Sequence, residues 1–227
     1  QGELIWIAEA DDVADPQLLA TLVGLLNANP QATLAYCQSM VIDETDAELG
    51  IHSQAINAFG SDQWDDDFVL YGHEFIRKFQ YLYNVVPNAS AVVFRRETYC
   101  DLGMADTSYR YTGDWLMWYR LISAGSVCFS SQPLNRFRKH TGTVRASSTK
   151  DGRILTERLR IWQQILRSEI GLSEKMRHQI GAYLEAQMSS YLKLDFFARV
   201  ALFRALTDLG LLRQMGPKKL LRLISGL

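Results

Sequence analysis

Leu4-Ile5-Trp6-Ile7-Ala8-Glu9-Ala10-Asp11-Asp12 sets an apolar run directly against three carboxylates, and Asp15-Pro16 follows close behind. An apolar segment bounded this way suits a buried strand over Leu4–Ile7, and Asp15 ahead of Pro16 opens a helix. Carboxylates gathered where a strand ends can converge on one hard divalent cation, because Mg²⁺ and Mn²⁺ take oxygen ligands. The same residues also suit a solvated acidic turn with Asp15 as helix N-cap. The stretch by itself leaves both readings open.

Beyond it the chain alternates elements in an α/β manner. Pro16–Asn27 carries a broad apolar face through Leu18, Leu19, Leu22, Val23, Leu25 and Leu26, which predicts a helix ending at Asn29-Pro30. Leu34–Ile42 reads as a strand. From Asp43 to Val69 the chain turns polar and acidic, a long loop with the run Asp65-Asp66-Asp67 read as solvated. Glu74–Tyr83 reads as helical and Val92–Phe94 as a strand. A buried helix is expected from Thr112 through Ile122, then a short strand at Val127–Phe129 and a basic segment from Arg136 to Thr143. After about Lys150 strand signals cease, and helix-period segments follow one another: Ile154–Ile170, Ser173–Leu194, Phe196–Leu209 and Lys218–Ile224. The expected division is an α/β portion over 1–149 and a helical region over 150–227.

The 227 residues suffice for one substantial core plus an appendage, and 48% hydrophobic with 22% charged residues is a globular balance that argues against disorder. A net charge of −1 gives no electrostatic case for nucleic-acid binding. Cys37, Cys100 and Cys128 are far apart and odd in number, with no metal spacing, so they read as buried thiols of a reducing compartment. No stretch approaches the length of a transmembrane helix. Because the chain begins on what reads as a core strand, a preceding segment is expected.

Two further sites stand out. In Gly113-Asp114-Trp115 a carboxylate opens a buried helix, where unpaired N–H groups favour its charged form. There Asp114 either takes a proton from a substrate hydroxyl or simply caps the helix. Arg136-Phe137-Arg138-Lys139-His140 can balance diphosphate charge, with His140 as a metal ligand, or can form a solvated basic edge strand.

Taken in order from Gly2 to about Val144, these motifs resemble the family 2 glycosyltransferases of the GT-A fold, closest to bacterial enzymes of surface-polysaccharide synthesis. Glu9-Ala10-Asp11 stands in the place of the Asp-x-Asp motif. Asn88-Ala89-Ser90-Ala91-Val92-Val93-Phe94-Arg95-Arg96 resembles the acceptor-side strand and loop. Gly113-Asp114-Trp115 is similar to the motif supplying the catalytic base, and Arg136–His140 to the closing basic segment. Glu9 replaces the more usual Asp, and Gly113 stands where many relatives have an acid.

The resemblance implies a GT-A-like mixed sheet flanked by helices, incomplete at its N-terminus, followed by an all-helical appendage. It implies an inverting transferase moving sugar from a nucleotide-sugar donor to a hydroxyl of a glycan or lipid-linked acceptor. Asp114 is then the general base. Asp11, Asp12 and His140 are candidate ligands of Mg²⁺ or Mn²⁺, with Glu9, Asp11, Arg136 and His140 at the donor's diphosphate and ribose. Asn88, Ser90, Gly113 and Trp115 are candidate substrate contacts, with Trp115 weighted toward packing beneath Asp114. The family's N-terminal nucleotide-binding half has no counterpart in this sequence, so weak nucleotide-sugar binding by these residues alone is expected. A non-catalytic GT-A-like binding or assembly module is the alternative. The expected location is cytoplasmic. Lys218, Lys219 and Arg222 among leucines suit either peripheral contact with the inner membrane face or ordinary helix packing.

Overall fold

The computed structural model describes residues 2–52, 54–60, 62–86, 88–140, 153–186 and 196–212. The chain divides into two compact units, one of residues 1–107 and 113–141, the other of residues 108–112 and 142–227.

The first unit is mixed α/β. Strands β1 (Leu4–Trp6) and β2 (Val13–Ala14) bracket the acidic run, and α1 (Leu18–Ala28) precedes the long β3 (Ala32–Ile42). Then come β4 (Glu48–Ile51), α2 (Gln54–Phe59) and β5 (Phe68–Tyr71). The short α3 (Gly72–Phe75) runs straight into a π-helical turn, Ile76–Gln80. Strand β6 (Val92–Arg95), α4 (Arg96–Asp101), α5 (Gly113–Ser123) and β7 (Ser126–Arg138) complete it. Sheet order is β1-β6-β3-β7-β2, with β4 added to β3 and β5 to β7. β3 and β7 are parallel; β1, β6, β4, β5 and β2 pair antiparallel with their neighbours.

Alternation along the central strands sorts side chains by size. Ala35, Cys37, Val93 and Cys128 pack with Ala91 against Leu18, Leu22 and Leu26 of α1. Small residues on that face let the helix approach closely. The other parity places Tyr36 against Phe75 and Phe129, Phe68 against Phe129, and Phe94 against Trp118 of α5, with ring centroids 4.8–6.3 Å apart. Aromatic rings at this spacing add edge and offset attraction to their area burial.

The expected loop over 43–69 instead contains β4, α2 and the beginning of β5. β4 and β5 each bond to one neighbour only, so their free sides carry polar or exposed residues and the sequence lacks a core-strand pattern. The last strand runs far beyond Val127–Phe129. Pro133 interrupts its pattern, and extra residues of β7 opposite Cys37/Gln38 and Gln38/Ser39 of β3 shift the register to accommodate it. Arg136 lies between β3 and β2, paired with Met40 and Val13 and so not on an edge strand, while Arg138 pairs with Ile42 of β3. Cys37 and Cys128 are buried as expected, and burial pushes their thiols up to about 12 and about 11. Cys100 is exposed, a correction: it lies on α4, a helix with no buried residue.

In the second unit, α6 (Arg153–Arg167), α7 (Glu174–Ala186) and α8 (Phe196–Asp208) follow one another. Leu155, Leu159, Trp162 and Ile165 form the buried stripe of α6, Met176, Ile180 and Leu184 that of α7. The stripe and the T-shaped Trp162–Tyr183 contact join them. Among the described residues no helix is long and apolar enough to cross a membrane. The basic, leucine-rich segment Lys218–Leu227 lies outside the described residues.

Candidate functional site

β1 lies at one margin of the sheet and β2 at the other, so Ile7–Asp12 must carry the chain past the ends of the strands between them. The three carboxylates are thereby set across strand termini. The 88–90 loop holds this crossing in place. Trp6 Nε1 donates to the Ser90 carbonyl at 2.8 Å, and the Glu9 N–H donates to Ser90 Oγ at 3.1 Å. Asn88 Nδ2 donates to Asp12 Oδ2 at 2.6 Å, while Asp12 Oδ1 accepts the Arg138 N–H at 2.9 Å. Beneath them Asn135 Nδ2 donates to Ser39 Oγ and Ser39 Oγ to Asn88 Oδ1, at 3.4 and 3.3 Å, a buried polar chain leading to Asp12.

The expected site residues thus separate by partner. Asp12 spends both oxygens on the scaffold. Asn88 and Ser90 are buried and engage the acidic turn. Asp11 Oδ2 meets His140 Nε2 at 2.9 Å, both exposed enough to reach a ligand. Arg136 pairs with Glu48 at 3.2 Å. Its neighbour in the alternation, Arg138, is the basic residue woven into the turn. Its guanidinium donates to the carbonyls of Asp11 and Asp43 and to Asp46 Oδ1, at 2.6–2.9 Å. Sequence reading placed Arg138 in the basic segment without singling it out. Its signal was a cation at the end of the strand that closes over the acidic turn.

Asp114 sits in the first turn of α5. Trp115 is buried and donates Nε1–H to the Gln80 carbonyl at 3.0 Å. Asn84 Nδ2 donates to Asp114 Oδ2 at 2.9 Å. Gly72 fixes the far end of this packing: a Cβ there would lie 1.6 Å from the Ile122 carbonyl oxygen, so only glycine lets α3 start against the end of α5.

In the acidic turn the fold raises the proton affinity of Glu9. Much of Glu9 reaches solvent, yet its carboxyl is held above the usual carboxylate range. Burial is the first cause, then the charges of Asp12 and Asp11; the Ser90 hydroxyl opposes them, and the charge of Asp114 adds to the rise. A carboxyl raised in this way by burial and neighbouring charge is costly unless a cation or a substrate uses it.

Among the described residues no group of three or more His, Cys, Asp or Glu is arranged to hold a metal ion. Asp11 and His140 do form a pair of oxygen and nitrogen donors. That number leaves room on a divalent ion for substrate phosphates and water, and an imidazole beside the carboxylate suits Mn²⁺ better than Mg²⁺.

No family model matches the sequence, and no curated protein does. Among solved structures, residues 1–349 of S. aureus TarS in complex with UDP-GlcNAc are similar in fold. The TM-score is 0.60 at 14% identity, over 92% of this chain and 57% of that one. The chain therefore spans little more than half the length of that neighbour. At this identity the likeness is one of architecture, and it gives the chain a glycosyltransferase-like fold.

Proposed function

We propose that this chain is the catalytic and acceptor-side portion of an inverting glycosyltransferase of the family 2, GT-A type, using a nucleotide-sugar donor. What supports the reading is that the charge of Asp114, opening α5, is among the causes that raise the Glu9 proton affinity, after burial and the charges of Asp12 and Asp11. On this reading the two acidic groups serve one site. The fold likeness to a structure holding UDP-GlcNAc makes that donor the first to test.

Asp114 accepts the proton of an acceptor hydroxyl as that oxygen attacks the anomeric carbon. The bond from the anomeric carbon to the diphosphate oxygen breaks on the opposite face, its electron pair leaves with the nucleoside diphosphate, and configuration inverts. Asp11 and His140 would hold a Mg²⁺ or Mn²⁺ ion, which when bound neutralises charge on the departing diphosphate. Arg138 keeps the turn shaped through its bonds to Asp11, Asp43 and Asp46, and Asp12 anchors it to the sheet. A glycan or lipid-linked acceptor in surface-polysaccharide synthesis, at the cytoplasmic side of a membrane, is part of the same proposal.

A non-catalytic binding or assembly module is the second reading, favoured by the scaffold bonds that occupy both oxygens of Asp12. One assay separates them: release of nucleoside diphosphate from UDP-GlcNAc and other nucleotide sugars by the full-length polypeptide, with Mg²⁺ or Mn²⁺. Turnover is expected, lost on chelation with EDTA, and reduced by about 10²–10⁴-fold in Asp114→Asn. Turnover unchanged by that substitution removes Asp114 as the base.

A further inference from the structure

Asn84 and Gln80 lie outside every motif that pointed to the site, yet both are wired to Asp114. Val85 N–H donates to Gln80 Oε1 at 3.1 Å, Gln80 Nε2 to Asn84 Oδ1 at 3.3 Å, and Asn84 Nδ2 to Asp114 Oδ2 at 2.9 Å. The first donor fixes the direction of the whole chain. A backbone N–H can only donate, so the Gln80 oxygen must face it and the Gln80 amide nitrogen must face Asn84. The Asn84 oxygen is then taken, and only its NH₂ remains for Asp114.

The π-helical turn explains how one residue performs two jobs. Tyr81 N–H bonds back to the Ile76 carbonyl at 3.1 Å, five residues away. At the end of that turn the Gln80 carbonyl accepts Trp115 Nε1, and its side chain, fully buried, enters the amide chain. Wide turns of this kind recur at functional sites.

We infer that Asn84, oriented by Gln80, is a positioning residue that holds Asp114 as the proton-accepting carboxylate. This rests on the transferase reading. An amide NH₂ supports the charged carboxylate and offers no acceptor to a proton on Oδ2.

The test is steady-state turnover of nucleotide sugar by the full-length polypeptide carrying Asn84→Leu or Asn84→Asp, each also combined with Asp114→Asn. Asn84→Leu removes the donor, and its kcat is expected to fall about 10–100-fold, the worth of one charge-assisted hydrogen bond, with donor KM unchanged. Asn84→Asp keeps the shape but sets a carboxylate against a carboxylate, and is expected to fall further. A merely structural Asn84 would tolerate the isosteric change better than leucine. In the Asp114→Asn background neither substitution should cost more.

Thermal unfolding by circular dichroism checks that each variant is folded; Gln80→Met, which frees the Asn84 amide to turn, gives a second route to the same loss of kcat. If Asp114→Asn is inactive while Asn84→Leu and Asn84→Asp retain full kcat, this inference falls and the base assignment stands. If the Asn84 effects persist without Asp114, Asn84 acts elsewhere and the inference falls too. No turnover by the wild type overturns the transferase reading and this inference together.

Discussion

Two regions of the molecule treat carboxylates in opposite ways. In the second unit, buried Glu157 of α6 accepts the N–H groups of Arg110, Tyr111 and Thr112 at 2.8–2.9 Å and the Thr112 hydroxyl at 3.1 Å. Four donors face one charge, so both oxygens are satisfied. In the Glu9–Asp12 turn three carboxylates crowd together. Asp12 alone has two firm donors, and Glu9 is pushed toward its protonated form. The difference teaches how to tell a carboxylate that builds from one that reacts. A building carboxylate is matched donor for donor. A reacting one is left short, and the shortfall is what a cation or a substrate supplies.

Glu157→Ala should produce the largest loss of stability. It strands three backbone N–H groups and a hydroxyl, and the second unit is expected to lose about 3–5 kcal/mol, read as a large drop in Tm. Glu157→Gln keeps an acceptor and should cost roughly half as much. If Glu157→Gln leaves Tm untouched, Glu157 is not a carboxylate matched donor for donor.

Asp12 and Asp11, neighbours in sequence, should divide along the same line. Asp12→Ala removes acceptors from Asn88 and from the Arg138 N–H, and should cost about 1–3 kcal/mol in urea denaturation. Asp11→Ala loses only an exposed contact with His140, so its stability change should stay within about 0.5 kcal/mol. Turnover should show the reverse emphasis, with Asp11→Ala inactive despite its intact fold. Equal stability losses for the two would dissolve the distinction within the turn.

How much of this could be read from the sequence follows from where each element finds its partners. α1, β3, β6 and α5 carry continuous or helix-period apolar patterns because they are buried by the core, and their patterns survive without knowledge of the fold; Leu4–Ile7, expected as a buried strand, is β1 at the sheet margin, half-buried with Ile7 exposed. β4 and β5 are invisible because an edge strand needs no second apolar face. The full length of β7 is hidden by Ser130, Ser131 and Pro133, which a bulged register tolerates and a pattern does not. At the site, the acidic turn and Asp114 are legible because their chemistry is unusual for their position. Arg138, Asn84, Gln80 and Glu157 are not. Each is an ordinary residue made specific by a partner distant in sequence, 30 positions away for Asn84 and about 45 for Glu157. No local spacing records such pairs.

The smallest expected effect sharpens the comparison most, because its sign distinguishes a crowded carboxylate from a matched one. Glu9 binds its proton more tightly in the fold than at its ordinary value of 4.5. At neutral pH its charge therefore costs the folded state some stability. The cost is fully present above the raised pKa, fades as pH falls through it, and is gone below the ordinary value, where folded and unfolded chains are both protonated. Glu9→Gln mimics the protonated form, so it should raise Tm slightly at pH 7 and leave it unchanged at pH 4 or below. With solvent screening the gain should be only a few tenths of a kcal/mol. Saturating Mg²⁺ should erase this gain, since a cation in the turn favours the very charges that crowd one another. A Glu9→Gln variant less stable than wild type at pH 7, as a matched carboxylate would give, would show that the turn is scaffold throughout.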